Sequence, residues 1–72
     1  MLLEFSNDKI ISKTKTLVQI DGVQLMGKTV FVFRTGVDYP IRIDFSSNDE
    51  ASEAYNKIKK AFCEGKNFLS ID

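Results

Sequence analysis

Residues 27–36, Gly-Lys-Thr-Val-Phe-Val-Phe-Arg-Thr-Gly, form the most strand-like run in the chain. Between its two glycines, residues 30–33 are β-branched or aromatic without interruption, a composition that a pleated and buried surface favours. Alternate residues of a strand point to opposite faces, so Phe31 and Phe33 point one way while Val30 and Val32 point the other. Both faces of this strand are therefore apolar, and both need a cover.

The small size of the chain limits what can supply that cover. A domain of 72 residues buries only about 60% of the surface that its unfolded form exposes. Cys63 is the single cysteine and the sequence has no histidine, so neither an internal disulfide nor the usual zinc site is available. Close packing or self-association is therefore expected to stabilise the fold.

Charge and hydropathy exclude several classes of function. Ten basic and ten acidic residues give a net charge of zero, which removes the general attraction to nucleic acid or to an anionic membrane. The N-terminal Met-Leu-Leu is too short for a signal-peptide core, and no run of residues is long enough to cross a bilayer. A reduced, cytoplasmic setting is expected, with no membrane partner.

Turn signals divide the first part of the chain into short strands. Asn7-Asp8 predicts a turn after the first strand, and Asp21-Gly22, the strongest hairpin signal, predicts a type I′ turn between two others. Gly27-Lys28 predicts either a second tight turn or a bulge within one long strand, and the turn is favoured. The predicted strands cover residues 2–5, 10–13, 15–20, 23–26, 29–35 and 41–45.

The strand at 41–45 alternates apolar and polar residues, so one of its faces is buried. Depending on the length of the preceding loop, that face lies beside Phe31 and Phe33 or beside Val30 and Val32. We expect the phenylalanine side, because that arrangement joins the largest side chains in one core.

An amphipathic helix is predicted over residues 48–64. Ser47 and Glu50 fit a capping box at its start, and Gly65 is a natural residue to follow its end. Its apolar stripe recurs at intervals of three and four and comprises Ala51, Ala54, Tyr55, Ile58, Ala61 and Phe62. The tail at 67–71 is expected either to add a short strand or to pack against the helix end.

The predicted fold is thus one α+β domain over residues 1–72: an antiparallel β-meander of five to six strands followed by one C-terminal amphipathic helix packed on one sheet face. This element order resembles the single-stranded-DNA-binding fold of transcriptional coactivators, which implies a dimer with a nucleic-acid-binding sheet. It is also similar to pleckstrin-homology-like domains, which implies a curved sheet closed by the helix. Both resemblances cover element order alone and include no motif.

No residue pattern predicts catalysis, so the chain is expected not to be an enzyme. Without histidine, the usual general base near neutral pH is missing and Cys63 has no imidazole partner. The four glycines are too dispersed for a phosphate-binding loop. No cofactor and no metal are expected.

The double-sided strand predicts a protein-binding module that self-associates, of the accessory or inhibitor type found in phage and mobile elements. The sheet face away from the helix gives the candidate interface Leu17, Met26, Val30, Val32, Arg34 and Arg42. A sheet that curls into a small barrel would bury both faces instead. The alternative function is single-stranded nucleic-acid binding by a curved sheet face, with contacts from Lys13, Lys15, Lys28, Arg34, Tyr39 and Arg42.

Overall fold

The computed structural model describes residues 1–6 and 15–71. Within these ranges it contains six strands and one helix, which confirms the predicted α+β class. The predicted strand at 10–13 lies outside the described residues. In chain order the elements are β1 (Leu2–Ser6), β2 (Lys15–Gln19), β3 (Gly22–Met26), β4 (Thr29–Phe33), β5 (Ile41–Asp44), α1 (Asn48–Cys63) and β6 (Phe68–Ile71).

The strands form two three-stranded sheets, with orders β2-β1-β6 and β3-β4-β5. The second sheet is an antiparallel meander, as predicted. In the first sheet, β1 pairs antiparallel with β2 and parallel with β6, so the tail does add a strand. β2 and β6 therefore occupy the two edges of β1, where the strand predicted at residues 10–13 was expected to pair.

The predicted hairpin at Asp21-Gly22 is wrong, because the chain bends at Asp21 and passes from one sheet to the other without pairing β2 with β3. Ile20 N–H donates to the Met1 carbonyl over 2.8 Å, whereas Asp21 N–H donates to the Phe33 carbonyl over 2.9 Å. One bond extends the β1–β2 ladder and the other extends the β3–β4 ladder. Gly22 has no positive φ, which a type I′ turn would require. We call this passage, residues 20 and 21, the corner.

The turn predicted at Gly27-Lys28 is confirmed. These two residues connect β3 to β4, and Met26 lies opposite Thr29. Gly27 has a φ of 60° while Lys28 has no positive φ. That combination is the φ pattern of a type II′ turn, whose twist suits a hairpin.

The predicted pairing of phenylalanines with the alternating strand is wrong. Val30 lies opposite Ile43 and Val32 opposite Ile41, whereas Phe31 lies opposite Arg42. Both valines are completely buried, and the phenylalanine side of β4 faces outward. The core side of the meander is therefore built mainly from β-branched residues, with Leu25 opposite Val30.

The helix explains this choice, because the side that it turns to the sheets is formed by small residues. Ala51, Ala54, Ile58 and Ala61 are buried along it, and α1 contacts β3, β4 and β6. Alanine lets a helix approach closely, which leaves space for the short side chains of Val30 and Val32 beneath it. The helix thus covers both sheets, not the single face that was predicted.

The inner faces of both sheets meet in one core. The chain itself covers Val30 and Val32, as a small barrel would, but the described strands form two sheets and leave the outer side of each partly exposed. The buried cluster comprises Leu3, Phe5, Ile20, Val30, Val32, Ile43, Ala51, Ala54, Ile58 and Ile71.

Local signals determine both ends of α1. Ser47 is the N-cap, and its hydroxyl accepts from Glu50 N–H over 3.2 Å. The Glu50 carboxylate accepts from the backbone N–H of Ser46 over 3.3 Å, one residue before the position of an ideal capping box.

The C-terminal end of α1 is a Schellman motif. Lys66 N–H donates to the Ala61 carbonyl over 3.0 Å, and Gly65 N–H donates to the Phe62 carbonyl over 3.1 Å. Gly65 has a φ of +68°, which L-residues with a Cβ rarely adopt.

Two glycine substitutions test this fold. We expect Gly65→Ala to lower the free energy of unfolding by about 1–2 kcal/mol, because alanine is strained in the left-handed region. Gly22→Ala is the matched control. Its Cβ would contact the Phe33 side chain at an ordinary 3.6 Å without positive φ, so we expect a change between zero and a gain of about 1 kcal/mol. Urea denaturation measures both free energies of unfolding. A large loss of stability for Gly22→Ala would indicate a positive φ at Gly22, and therefore the hairpin that was predicted at the corner.

Candidate interaction surface

The side of the β2-β1-β6 sheet that faces away from the core carries large exposed apolar side chains. Leu2 is 38% exposed, Leu17 54% and Phe68 50%. Single exposed leucines are ordinary on protein surfaces, but a group on one sheet face is not. We call this surface the β1 face; its described side chains are Leu2, Glu4, Leu17, Gln19, Phe68 and Ser70.

The strand register places these side chains in two rows. In one row Leu2 lies between Gln19 and Phe68, and in the next row Glu4 lies between Leu17 and Ser70. The apolar side chains therefore form a diagonal band from Leu17 past Leu2 to Phe68. Gln19 lies at one side of the band, and the Glu4–Ser70 pair lies at the other.

The Glu4–Ser70 pair is itself hydrogen-bonded, since the Ser70 hydroxyl donates to a Glu4 carboxylate oxygen over 3.0 Å. This bond joins β1 to β6 through residues that are 66 positions apart. It holds the carboxylate at a defined place beside the apolar band.

The outer side of the other sheet is the β4 face, and it carries the phenylalanines. Phe31 and Phe33 are half-buried there, and Met26, on the neighbouring strand, is 58% exposed. Arg42 lies directly opposite Phe31 on β5. This face therefore combines aromatic rings with one exposed cation.

A small polar network borders the aromatic rings. The Thr29 hydroxyl donates to an Asp44 carboxylate oxygen over 2.7 Å, and Arg42 Nε donates to the same oxygen over 2.9 Å. The positive charge of Arg42 is thus partly balanced by a neighbouring carboxylate.

The structure separates the residues predicted as one interface. Val30 and Val32 are completely buried in the core, so the expectation that they remain on an open face is wrong. Leu17 lies on the β1 face, whereas Met26 and Arg42 lie on the β4 face. Arg34 is half-buried just beyond the end of β4.

Sequence reasoning missed Leu2 and Phe68 as surface residues. The signal was present in the alternation of short strands, because Leu2 is followed by buried Leu3 and Phe68 precedes the more buried Leu69. Only the parallel pairing of β1 with β6 shows that these two side chains are neighbours.

The predicted nucleic-acid contacts do not form one patch in the part of the chain that the structure describes. Lys28 precedes β4, while Tyr39 follows it in the loop before β5, so the length of the strand, about 16 Å, separates them. Both are exposed. Lys13 and the side chain of Lys15 lie outside the described residues.

Arg34 is tied to the protein surface by an aromatic ring. Its guanidinium carbon lies 5.5 Å from the centroid of the Tyr39 ring, within the range of a cation–π interaction. Its Nε atom is buried and has no hydrogen-bond partner among the described residues. An unpartnered buried donor destabilises a fold. Arg34 therefore combines a stabilising contact with Tyr39 and a destabilising buried Nε atom.

We expect Arg34→Met to be at least as stable as the wild-type protein. The substitution keeps the aliphatic stem and removes a buried unpartnered donor, worth about 1–3 kcal/mol, while it loses a cation–π contact worth about 0.5–1 kcal/mol. The free energy of unfolding should therefore rise by up to about 2 kcal/mol. Arg42→Met is the control, because it removes only an exposed ion pair worth about 0–1 kcal/mol. A loss above about 1 kcal/mol for Arg34→Met would contradict this reading.

A groove of about 310 Å³ lies between α1 and the ends of β5 and β6. Apolar Ala54 and Ile71 form part of its wall, and Glu53 and Lys57 approach to 4.0 Å at its rim. The remaining lining residues are Phe45 and Glu50.

Over residues 1–6 and 15–71, no group of three or more histidine, cysteine or acidic residues could hold a metal ion, and no helix is long and apolar enough to cross a membrane. The chain matches no protein-family model, and no curated protein or solved structure matches it.

Proposed function

We propose that this chain is a non-enzymatic protein-binding module of accessory or inhibitor type that self-associates through the β1 face. The observation that carries the proposal is the diagonal band of Leu2, Leu17 and Phe68, three large apolar side chains that are each more than one-third exposed. Water contact with such a band is unfavourable, and a second protein surface removes it.

The size of the β1 face determines the expected strength of association. Three strands of about five residues measure roughly 14 by 16 Å, an outline of about 220 Å² per copy. A pair of such faces in contact covers about 450 Å² in total, well below the standard size of stable interfaces. The association is therefore transient, with a dissociation constant in the micromolar to millimolar range.

We also propose that the protein is located in the cytoplasm. Cys63 is an exposed free thiol, and a reducing compartment keeps such a thiol from forming disulfides between copies. Association in that setting depends on the non-covalent contacts of the β1 face.

Charge placed in the apolar band should abolish self-association. We expect Leu17→Lys and Phe68→Lys to sediment as monomers at concentrations, up to about 1 mM, at which the wild-type protein forms dimers. Met26→Lys is the matched control, because Met26 is equally exposed but lies on the β4 face. Circular dichroism establishes that each variant is folded.

Two outcomes of that experiment would contradict the proposal. One is a wild-type chain that remains strictly monomeric up to about 1 mM. The other is a loss of dimer in Met26→Lys equal to that in Leu17→Lys, because the β1 face would then have no special role.

Single-stranded nucleic-acid binding is a second candidate, favoured by the outward position of Phe31 and Phe33. Aromatic side chains on an open sheet face stack on bases, and Arg42 lies beside Phe31. The net charge of zero and the bond between Arg42 and Asp44 weigh against it, because phosphate contacts need unbalanced positive charge.

Fluorescence anisotropy with a labelled single-stranded oligonucleotide separates the two candidates. We expect no binding at micromolar protein concentrations, at either low or moderate salt. Binding that is tight, falls steeply with added salt and weakens about tenfold or more in Phe31→Ala would favour the second candidate, since each stacked base contributes about 1–3 kcal/mol.

A further inference from the structure

We infer that the free edge of β6 binds an extended segment of a partner protein, which adds to the sheet as an antiparallel strand. The basic end of this segment lies toward the start of α1, and its acidic end lies toward the end of α1. The inference rests on the proposed protein-binding function and adds a partner other than a second copy, but it does not depend on self-association. Three features support it: an edge strand, two grooves beside that strand, and the order of charges along the grooves.

β6 is an outer strand of its sheet in the part of the chain that the structure describes. Leu2 lies opposite Phe68, and Leu2 N–H donates to the Asn67 carbonyl over 2.8 Å. Backbone groups alternate between the two edges of a strand, so those of Leu69 also point toward β1. The N–H and C=O groups of Phe68 and Ser70 therefore point away from β1, and no described strand pairs with them there. Such an edge is a template for a further strand.

Two grooves follow each other along the same side of α1. The groove of about 310 Å³ described above is the first, and a second groove has a volume of about 190 Å³. Lys57 lines both grooves, while Ile71 of β6 lines the first and Leu69 lines the second. The other residues that line the second groove are Lys60, Ala61, Glu64 and Lys66.

The spacing of the grooves suits a strand. Leu69 and Ile71 are alternate residues of β6, so their side chains point to one face about 6.6 Å apart. A strand that pairs with β6 has alternate side chains at the same spacing, opposite these two residues and over the two grooves. Buried Ala54 and Ala61 form part of the walls. Apolar side chains of medium size, such as valine, are therefore expected at two alternate positions of the partner.

The charges at the two grooves determine the direction of the partner. Glu50 and Glu53 line the first groove with one lysine, whereas three lysines and one glutamate line the second. β6 runs opposite to α1, because Ile71 lies beside the start of the helix and Leu69 beside its last turns. An antiparallel strand, the commoner and slightly more stable pairing, therefore begins at the acidic groove and ends at the basic one. A basic residue at its start and an acidic residue at its end complement these charges.

The capped peptide Lys-Thr-Val-Thr-Val-Thr-Glu is a probe with these properties. In the antiparallel register its two valines lie opposite Ile71 and Leu69. Its central and last threonines lie opposite Ser70 and Phe68 and exchange backbone hydrogen bonds with them. We expect a dissociation constant of about 0.1–1 mM in an NMR titration of the full chain, because the interface is small. Hydrogen exchange at the Phe68 and Ser70 amides should slow when the peptide binds, since both become hydrogen-bonded.

A methylated peptide separates strand pairing from other modes of binding. Methylation of the backbone nitrogen of the central and last threonines removes the two donors that face β6 and leaves every side chain unchanged. We expect the dissociation constant to rise at least about tenfold. Equal binding of the methylated and unmethylated peptides would overturn the strand addition.

The reversed peptide, Glu-Thr-Val-Thr-Val-Thr-Lys, tests the direction. It has the same composition, but in an antiparallel strand its charges lie beside groove charges of the same sign. We expect it to bind roughly two- to tenfold more weakly at low salt. Equal or tighter binding would overturn the antiparallel direction.

A charge reversal on α1 tests the basic groove. We expect Lys60→Glu to weaken binding of the probe roughly two- to tenfold at low salt. Lys59→Glu is the matched control, because Lys59 is also exposed and is adjacent in sequence but lines neither of these grooves. Its ammonium instead lies 5.8 Å from the centroid of the Tyr55 ring. We expect the control to change binding by no more than about twofold, the part that overall charge contributes.

The outcomes separate this site from the proposed self-association. Binding of the probe with slower exchange at Phe68 and Ser70 supports the site. Absence of binding at millimolar peptide, or binding that leaves the exchange of these amides unchanged, overturns it. Sedimentation of the wild-type chain without peptide tests self-association independently, so either result can fail while the other stands.

Discussion

The passage of the chain from one sheet to the other at the corner is the constraint on which the rest of the structure depends. The Ile20 side chain is buried there, and its backbone bonds to Met1 while the next residue bonds to Phe33. A single uninterrupted segment is thereby held by both sheets. Because of this connection the two sheets curve around one interior, and their inner faces share a core that α1 closes.

The corner also determines what remains outside. Once the inner faces are joined, Val30 and Val32 have no access to a partner, and the phenylalanines of β4 lie on the opposite side, away from the alanine-rich helix. The exposed apolar side chains of the β1 face are then assembled from three distant segments, β1, β2 and β6. Both the stability of the core and the position of the interaction surface therefore follow from one connection.

Sequence reasoning succeeded where the signal is local. The cap at Ser47, the Schellman glycine Gly65 and the turn at Gly27 depend on neighbouring residues, so their chemistry can be read from a few letters. The hairpin at Asp21-Gly22 was predicted by the same logic and was wrong, because hydrogen bonds to Met1 and Phe33 outweigh the local turn preference. The sequence of the dipeptide alone does not indicate hydrogen bonds to such distant residues.

The choice of core face and the β1 face were harder to predict for the same reason. Which side of β4 is buried depends on how closely α1 approaches, and the band of Leu2, Leu17 and Phe68 exists only through the pairing of chain segments far apart in sequence.

The most direct test of self-association through the β1 face is an NMR dilution series across the concentration range of the dimer. We expect concentration-dependent chemical shifts confined to β1, β2 and β6. Shifts centred on the β4 face, or no shifts, would contradict self-association through the β1 face.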